Sequence, residues 1–249
     1  NVPEVHVMKD GDAEKLRQAL EKVVNAHPYL KTHFVQHEGD VMQIRRDEEP
    51  VEILMETLHE APDVAFFQSR VRPFDLYNDT LYRMELYTFE SKVYFFMDIH
   101  HSIYDGASSL FLLRDIFVAY QGEDIPTEEY TAFDFALDEL KLLKSESYGE
   151  AEEYFGKLLD GSSTAVYPLS KERVGEEPDQ GELDWKISGS NITPFCQDHN
   201  ITPNSYFLTM MMHVLHAVTR EERITITTIN NGRSDGRMMG IMGMFVKTI

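Results

Sequence analysis

Val93-Tyr94-Phe95-Phe96-Met97-Asp98-Ile99-His100-His101-Ser102-Ile103-Tyr104-Asp105-Gly106 is the stretch on which the reading of this chain turns. Val93 to Phe96 is apolar on both alternating faces, as expected of a strand covered on both sides. It runs into two adjacent histidines. Asp105-Gly106 follows, and then a helical pattern from Ala107 to Tyr120 carries Leu110, Leu113, Phe117 and Tyr120 along one face. A chain built this way brings a base to the end of a rigid strand and turns away from it.

Neighbouring strand residues point to opposite faces, so His100 and His101 cannot do the same job. His101 shares parity with Val93, Phe95, Met97 and Ile99; His100 shares it with Tyr94, Phe96 and Asp98. Parity alone leaves open which of them meets a cleft. Imidazole suits proton transfer because its unperturbed pKa lies near about 6.5. Asp105 has two readings: it orients a histidine, or it pairs with an arginine and holds the loop. Gly106 permits a tight turn and close backbone approach. The helix beginning there leaves N–H groups free where an oxyanion would develop. Together these point to acyl transfer with histidine acid–base work. The competing readings are a structural or surface histidine pair, which is the commoner fate of such a pattern, and a metal site. His-His-x-x-x-Asp is a poor metal spacing, and His213 and His216, three apart on a helix, read as packed or solvated. The chain has no Gly-rich phosphate loop and no HExxH.

Outward from this stretch the pattern is α/β. Val5 and Val7 mark a first strand. Asp12 caps a helix bearing Leu16, Leu20, Val23 and Val24, which His27-Pro28 terminates. Leu30 to Gln36 and Val41 to Arg45 read as strands joined at Glu38-Gly39-Asp40, Val51 to Met55 is another apolar run, and Pro62 to Arg70 reads as a helix. Leu81 to Phe89 alternates and pairs across Glu90-Ser91 with Lys92 to Ile99 as a hairpin. Helices are expected over about 133–143 and 148–159. Gly161 to Gly181, with Ser162, Ser163, Pro168 and Pro178, is the linker. Beyond it Leu183, Trp185 and Ile187 alternate as a strand. A helix capped by Thr202-Pro203 carries Phe207, Met211, Val214, Leu215 and Val218, and Arg223 to Ile229 reads as a β-branched strand. The expected organisation is two lobes, 1–170 and 171–249, the second incomplete.

The chain has 249 residues, 42% hydrophobic and 27% charged, which places it among ordinary soluble globular proteins able to bury a core. No apolar run approaches the roughly 20 residues that span a bilayer. Its net charge of −20 argues against nucleic acid and anionic membrane as partners. The single cysteine, Cys196, excludes an internal disulfide, suits a cytoplasmic location and reads as a plain helix residue. No signal peptide is visible, and the absence of an initiator Met suggests a piece of something longer.

His100-His101-x-x-x-Asp105-Gly106 resembles the HHxxxDG motif of condensation domains of nonribosomal peptide synthetases, within the chloramphenicol-acetyltransferase-like superfamily of carrier- or CoA-dependent acyltransferases. Flanking segments in family order strengthen the likeness. Ala26 to Phe34 resembles RHExLRTxF, and Arg72-Pro73-Phe74-Asp75-Leu76 with Leu81-Tyr82-Arg83 is similar to the run before the motif. Tyr130-x-x-Phe133-Asp134-Phe135 resembles YxDYAxW. Asn231-Gly232-Arg233 and Gly243 to Thr248 resemble the NGR and GxFVNT segments. The departures are Lys247 where the family has Asn, a loose match over His27-Pro28-Tyr29, and no counterpart of the family's opening residues or its later C-terminal motifs. Cyclising relatives carry aspartates in place of the histidines, and epimerising relatives carry a different run after Asp-Gly; Ala107-Ser108-Ser109-Leu110 fits a condensing role.

The resemblance implies a two-lobed α/β fold with mixed sheets: an N-terminal lobe over 1–170 with the motif, then the first part of a C-terminal lobe. It implies an amide-forming reaction between a donor acyl or peptidyl thioester and an acceptor aminoacyl thioester. Both ride on phosphopantetheine arms of peptidyl carrier domains, beside adjacent synthetase domains. No cofactor or metal is bound by the domain itself. His101 is the implied acid–base residue, and His100 bonds nearby backbone. Asp105 pairs with Arg233 or, as second choice, Arg83. Gly106 lends its N–H to the reacting carbonyl, and Ser108 and Tyr104 line the substrate. Two other readings share the fold: a stand-alone CoA-dependent acyltransferase, and a non-catalytic domain that recruits a carrier or tailoring enzyme.

Overall fold

In the computed structural model, residues 1–161, 184, 186–189 and 191–249 are described. They fall into two units, Asn1–Tyr148 with Ile229–Thr248, and Gly149–Thr228 with Ile249. The expected boundary near residue 170, the expected linker beyond Gly161, and Leu183 and Trp185 lie outside the described residues.

The first unit runs β1 (Val2–Lys9), α1 (Ala13–Ala26), a 3-10 turn (Pro28–Lys31), β2 (Thr32–His37), β3 (Asp40–Arg45), β4 (Leu54–Thr57), α2 (Val64–Gln68), β5 (Tyr82–Phe89), β6 (Lys92–Ile99), α3 (Gly106–Gln121) and α4 (Ala132–Leu142). It closes with β7 (Ile229–Asn230), a 3-10 turn (Gly236–Met238) and β8 (Lys247–Thr248). Four strands form one mixed sheet in the order β1-β6-β5-β4, antiparallel except for β4 beside β5. The doubly apolar β6 is thus central. Val93, Phe95, Met97 and Ile99 pack with Leu16, Leu20, Val23 and Val24 of α1 and Leu112 and Ile116 of α3. Tyr94 and Phe96 point the other way and meet Tyr87, Phe66, Phe67 and Val71. Burial on both faces fixes β6 against register slippage, since a slip of one residue would reverse every side chain. The strand that delivers the histidines is accordingly one of the most constrained elements.

Several expected elements shift. Asp12 does cap α1, accepting from the Lys15 N–H at 3.0 Å. In α3 the fully buried stripe is Leu112, Asp115, Ile116 and Ala119; of the expected face, Leu113 and Tyr120 are half-buried against the core, while Leu110 is 71% and Phe117 63% exposed. The apolar pattern misleads there because the buried face holds a carboxylate, Asp115. The apolar run from Val51 to Met55 becomes strand only from Leu54, β4 continuing to Thr57 where β5 supplies a partner, and the helix expected over 62–70 shortens to α2. Within Arg223 to Ile229 the backbone forms a single bridge at Thr225 and a ladder with β8 at Ile229, not one continuous strand.

The second unit holds most of α5 (Glu146–Leu159), together with α6 (Ile192–Asp198) and α7 (Pro203–Thr219). Thr202 caps α7 as its sequence requires, accepting from the Ser205 N–H, and Cys196 is buried in α6. No helix among the described residues is long and apolar enough to cross a membrane.

Asp115 is buried for a reason. His27, itself 2% exposed, places Nε2 3.0 Å from Asp115 Oδ2 and Nδ1 2.6 Å from Glu128 Oε1. Glu128 also accepts from the Met242 N–H at 2.7 Å. Burial alone would push the imidazole pKa down, but the two carboxylates outweigh it and push it up to about 9. An imidazolium between two anions therefore joins the end of α1, the middle of α3 and the segment leading to β8. A folded-state pKa raised in this way contributes stability that is fully present below about pH 6.5 and is lost as pH rises towards 9, on the order of 3 kcal/mol. The melting temperature of the wild type is expected to fall between pH 6.5 and 9. His27→Gln should melt lower at pH 6 and show a flatter profile; parallel profiles for the two proteins would refute the charged clamp.

Candidate active site

The loop from His100 to Asp105 has no regular structure, yet its ends are fixed. The His100 N–H donates to the Leu81 carbonyl at 2.9 Å, continuing the β5–β6 ladder by one bond. At the other end Asp105 is the N-cap of α3, its Oδ1 accepting from the Ser108 N–H at 2.8 Å. Between these anchors His101 is exposed, and its Nδ1 lies 2.8 Å from the Tyr104 carbonyl. A carbonyl only accepts, so Nδ1 carries the proton. In the neutral ring Nε2 keeps its lone pair, and it has no hydrogen-bond partner among the described residues. This is the state a general base needs: oriented from behind, open in front.

Asp105 is fully buried and used on both oxygens. Oδ1 accepts from Arg233 Nη2 at 3.0 Å as well as from Ser108, and Oδ2 accepts from the Phe245 N–H at 3.0 Å. Burial pushes its pKa up. The two backbone N–H bonds and the guanidinium outweigh that and hold it below the usual carboxylate range. Arg233 is buried too. Its Nη1 donates to the Met238 and Ile241 carbonyls at 2.7 and 2.8 Å, Nη2 also reaches Ser108 Oγ at 2.8 Å, and its face lies 4.5 Å from the Phe245 ring centroid. Ser108 Oγ in turn donates to the Gly243 carbonyl at 2.9 Å. One carboxylate thus ties the start of α3 to a segment more than 120 residues away in sequence.

The structure places Asp105 against Arg233 and away from Arg83, which pairs with Asp98 at 3.3 Å instead. Ser108 and Tyr104, expected to line substrate, are fully buried. Ser108 is spent on Arg233 and Gly243, and Tyr104 contributes its carbonyl to His101 while its ring packs in the core. Gly106 needs neither a left-handed backbone nor close packing: a Cβ there would meet nothing within 4 Å. Its glycine leaves open space at the first turn of α3, where the Gly106 and Ala107 N–H groups have no helical acceptor. Gly232 is the position that does require glycine, with φ +68° and a Cβ site 1.8 Å from the Phe245 carbonyl oxygen. His100 bonds its own loop through Ser102.

No local pattern marks Glu128, and Gly243 and Phe245 enter only through the resemblance of Gly243 to Thr248; the supporting role of all three depends on partners remote in sequence. Lys247, the departure from the family pattern, pairs with Glu139 of α4. Among the described residues no cluster of three or more metal-ligating side chains occurs.

Asp105→Ala removes the acceptor of a buried guanidinium and of the Phe245 N–H, and is expected to destabilise the fold by about 3–5 kcal/mol. Chemical denaturation measures this. A loss below about 1 kcal/mol would show that the pair does not hold the segment.

A family model described as "Condensation domain" matches residues 4–249. Surfactin synthase subunit 2 of Bacillus subtilis (strain 168) is 27% identical over 259 residues, covering 100% of this chain and 7% of that protein. Tyrocidine synthase 3 of Brevibacillus parabrevis is 27% identical over 262 residues, covering 100% of this chain and 4% of that protein. Among solved structures, the X-domain from teicoplanin biosynthesis superposes with a TM-score of 0.82 at 18% identity, over 99% of this chain and 60% of that one. The epimerization domain from the third module of tyrocidine synthetase B gives 0.80 at 20% identity, over 100% and 62%. The chain therefore spans less than a tenth of these synthases and about three-fifths of these solved chains. At such identities the structural likeness carries the fold, the mixed-sheet α/β fold of the chloramphenicol-acetyltransferase-like group. With a family model matched over nearly its whole length, this chain belongs to the condensation-domain family.

Proposed function

We propose that this chain is a peptide-bond-forming condensation domain. It joins a donor acyl or peptidyl thioester to the amine of an acceptor aminoacyl thioester, each presented on the phosphopantetheine arm of a carrier domain. The observation that carries this reading is His101: exposed, its Nδ1–H held by the Tyr104 carbonyl, its Nε2 unpartnered. The amine nitrogen attacks the thioester carbonyl, Nε2 takes the amine proton as the new bond forms, and as the tetrahedral intermediate collapses the C–S bond breaks and Nε2 returns that proton to the departing sulfur. An α-amine has a pKa near about 8, so part of it is already neutral at working pH. Positioning, and stabilisation of the tetrahedral oxyanion by N–H groups at the open start of α3, then supply much of the acceleration. Asp105 and Arg233 take no part in proton transfer and keep this loop in place.

The implied partners are the donor and acceptor carrier domains and the neighbouring synthetase domains, acting in the cytoplasm. The acidic chain argues against a dedicated acyl-CoA site. The retained His101 and Gly106 argue against a domain that only recruits.

The test mixes the protein with a donor-loaded and an acceptor-loaded carrier and follows the acceptor carrier by intact mass. Product is expected with wild type, and His101→Ala should lower the rate by about 10²–10⁴ while keeping stability within about 1 kcal/mol. Carrier binding without transfer by either folded protein would point to recruitment. Transfer from acyl-CoA in place of the loaded donor would point to a stand-alone acyltransferase.

A further inference from the structure

Arg83, released from Asp105, sits in a second set of contacts around the other histidine. Its Nη1 donates to the Arg72 carbonyl at 2.7 Å and Asp98 Oδ2 at 3.3 Å, and its Nη2 donates to the Pro73 carbonyl at 3.0 Å. Asp98 is fully buried in β6, so the guanidinium is anchored to a fixed point. Its carbon lies 3.7 Å from the centroid of the Phe74 ring, and that ring stands perpendicular to the His100 imidazole at 5.7 Å. Arg83 thus fixes the backbone before Phe74 and the Phe74 ring itself, and the ring walls one side of His100.

The His100 ring is read by its own loop. The Ser102 backbone N–H donates to His100 Nδ1 at 3.1 Å, and Ser102 Oγ lies 2.7 Å from the same nitrogen. A backbone N–H cannot accept, so Nδ1 is the bare nitrogen and the neutral ring carries its proton on Nε2. Nε2 has no acceptor among the described residues, and the residue is only half-buried. Burial pushes the imidazole pKa down, which favours the neutral ring. Adjacent histidines therefore hold opposite tautomers: His101 is protonated on Nδ1, His100 on Nε2.

We propose that Phe74 and Arg83 are positioning residues that keep the His100 ring seated on the Ser102 N–H and so in the Nε2–H tautomer, leaving His100 an N–H donor beside the lone pair of His101. The positioning rests on geometry alone; the use of the donor rests on the acyl-transfer reading above. Lysine cannot replace Arg83 here, because a point charge cannot reach two carbonyls and a carboxylate while lying flat on a ring.

Imidazole nitrogen NMR on the ¹⁵N-labelled protein at pH 8 tests it, with wild type, Phe74→Ala, Phe74→Tyr and Arg83→Lys compared. In wild type, His100 is expected to show a bare Nδ1 and a protonated Nε2, with His101 the reverse. Phe74→Ala and Arg83→Lys should move His100 to an average of both tautomers and leave His101 unchanged, which also reports that the fold survives. Phe74→Tyr should restore the wild-type pattern. In the carrier assay the two disruptive variants should lose about 10- to 100-fold in kcat with KM within about twofold. A protonated Nδ1 on His100 in wild type, or a wild-type tautomer in Phe74→Ala, overturns the proposal. If the tautomers behave as stated and no condensation occurs, the positioning stands and the acyl-transfer reading fails.

Discussion

The carboxylate of Asp105 is the constraint on which the rest of the site depends. It satisfies a helix N-terminus, a guanidinium and a remote backbone N–H at once, in complete burial. A buried ion pair is weak evidence of net stability, because desolvation offsets the attraction. What this one supplies is placement. Closing the long loop between Asp105 and Arg233 costs chain entropy that no single bond offsets, so several bonds act on one segment. Arg233, Phe245 and Gly243 are held at the start of α3, and Met242 is held through Glu128 to His27. Gly232 lets the backbone pass against the Phe245 carbonyl where any side chain would collide.

His101 inherits its geometry from this arrangement at one remove. Its anchor is the carbonyl of Tyr104, the residue before Asp105, and the Tyr104 ring is locked in the core. A catalytic group held through backbone next to a buried charge pair can be exposed and still oriented. The central strand β6 fixes the other end of the loop. The two histidines stand between a doubly covered strand and a capped helix, with solvent on the remaining side.

Much of this was legible in the sequence because it is local. The apolar run Val93 to Ile99 announces a central strand, Asp12 and Thr202 announce helix starts, and the spacing from His100 to Gly106 announces the loop between strand and helix. The Asp105–Arg233 pair was accessible only through the resemblance, since no local pattern links residues 128 positions apart. The misreadings share a cause. The buried face of α3 was misplaced because Asp115 interrupts its apolar stripe, and that carboxylate is partnered in its burial by Arg114 and by His27, 88 positions away. Ser108 and Tyr104 look like substrate-facing polar residues, yet each is consumed by a tertiary bond or by packing. Sequence periodicity records which residues are apolar; it does not record which polar residues have found partners.

The central claim is that Asp105 and Arg233 act as one unit. A double-mutant cycle of Asp105→Ala and Arg233→Ala, measured by equilibrium denaturation, tests it most directly. The account predicts a coupling of about 2 kcal/mol or more, the double variant being far less destabilised than the sum of the single ones. Additivity within about 0.5 kcal/mol would mean that the two residues act independently, and would contradict it.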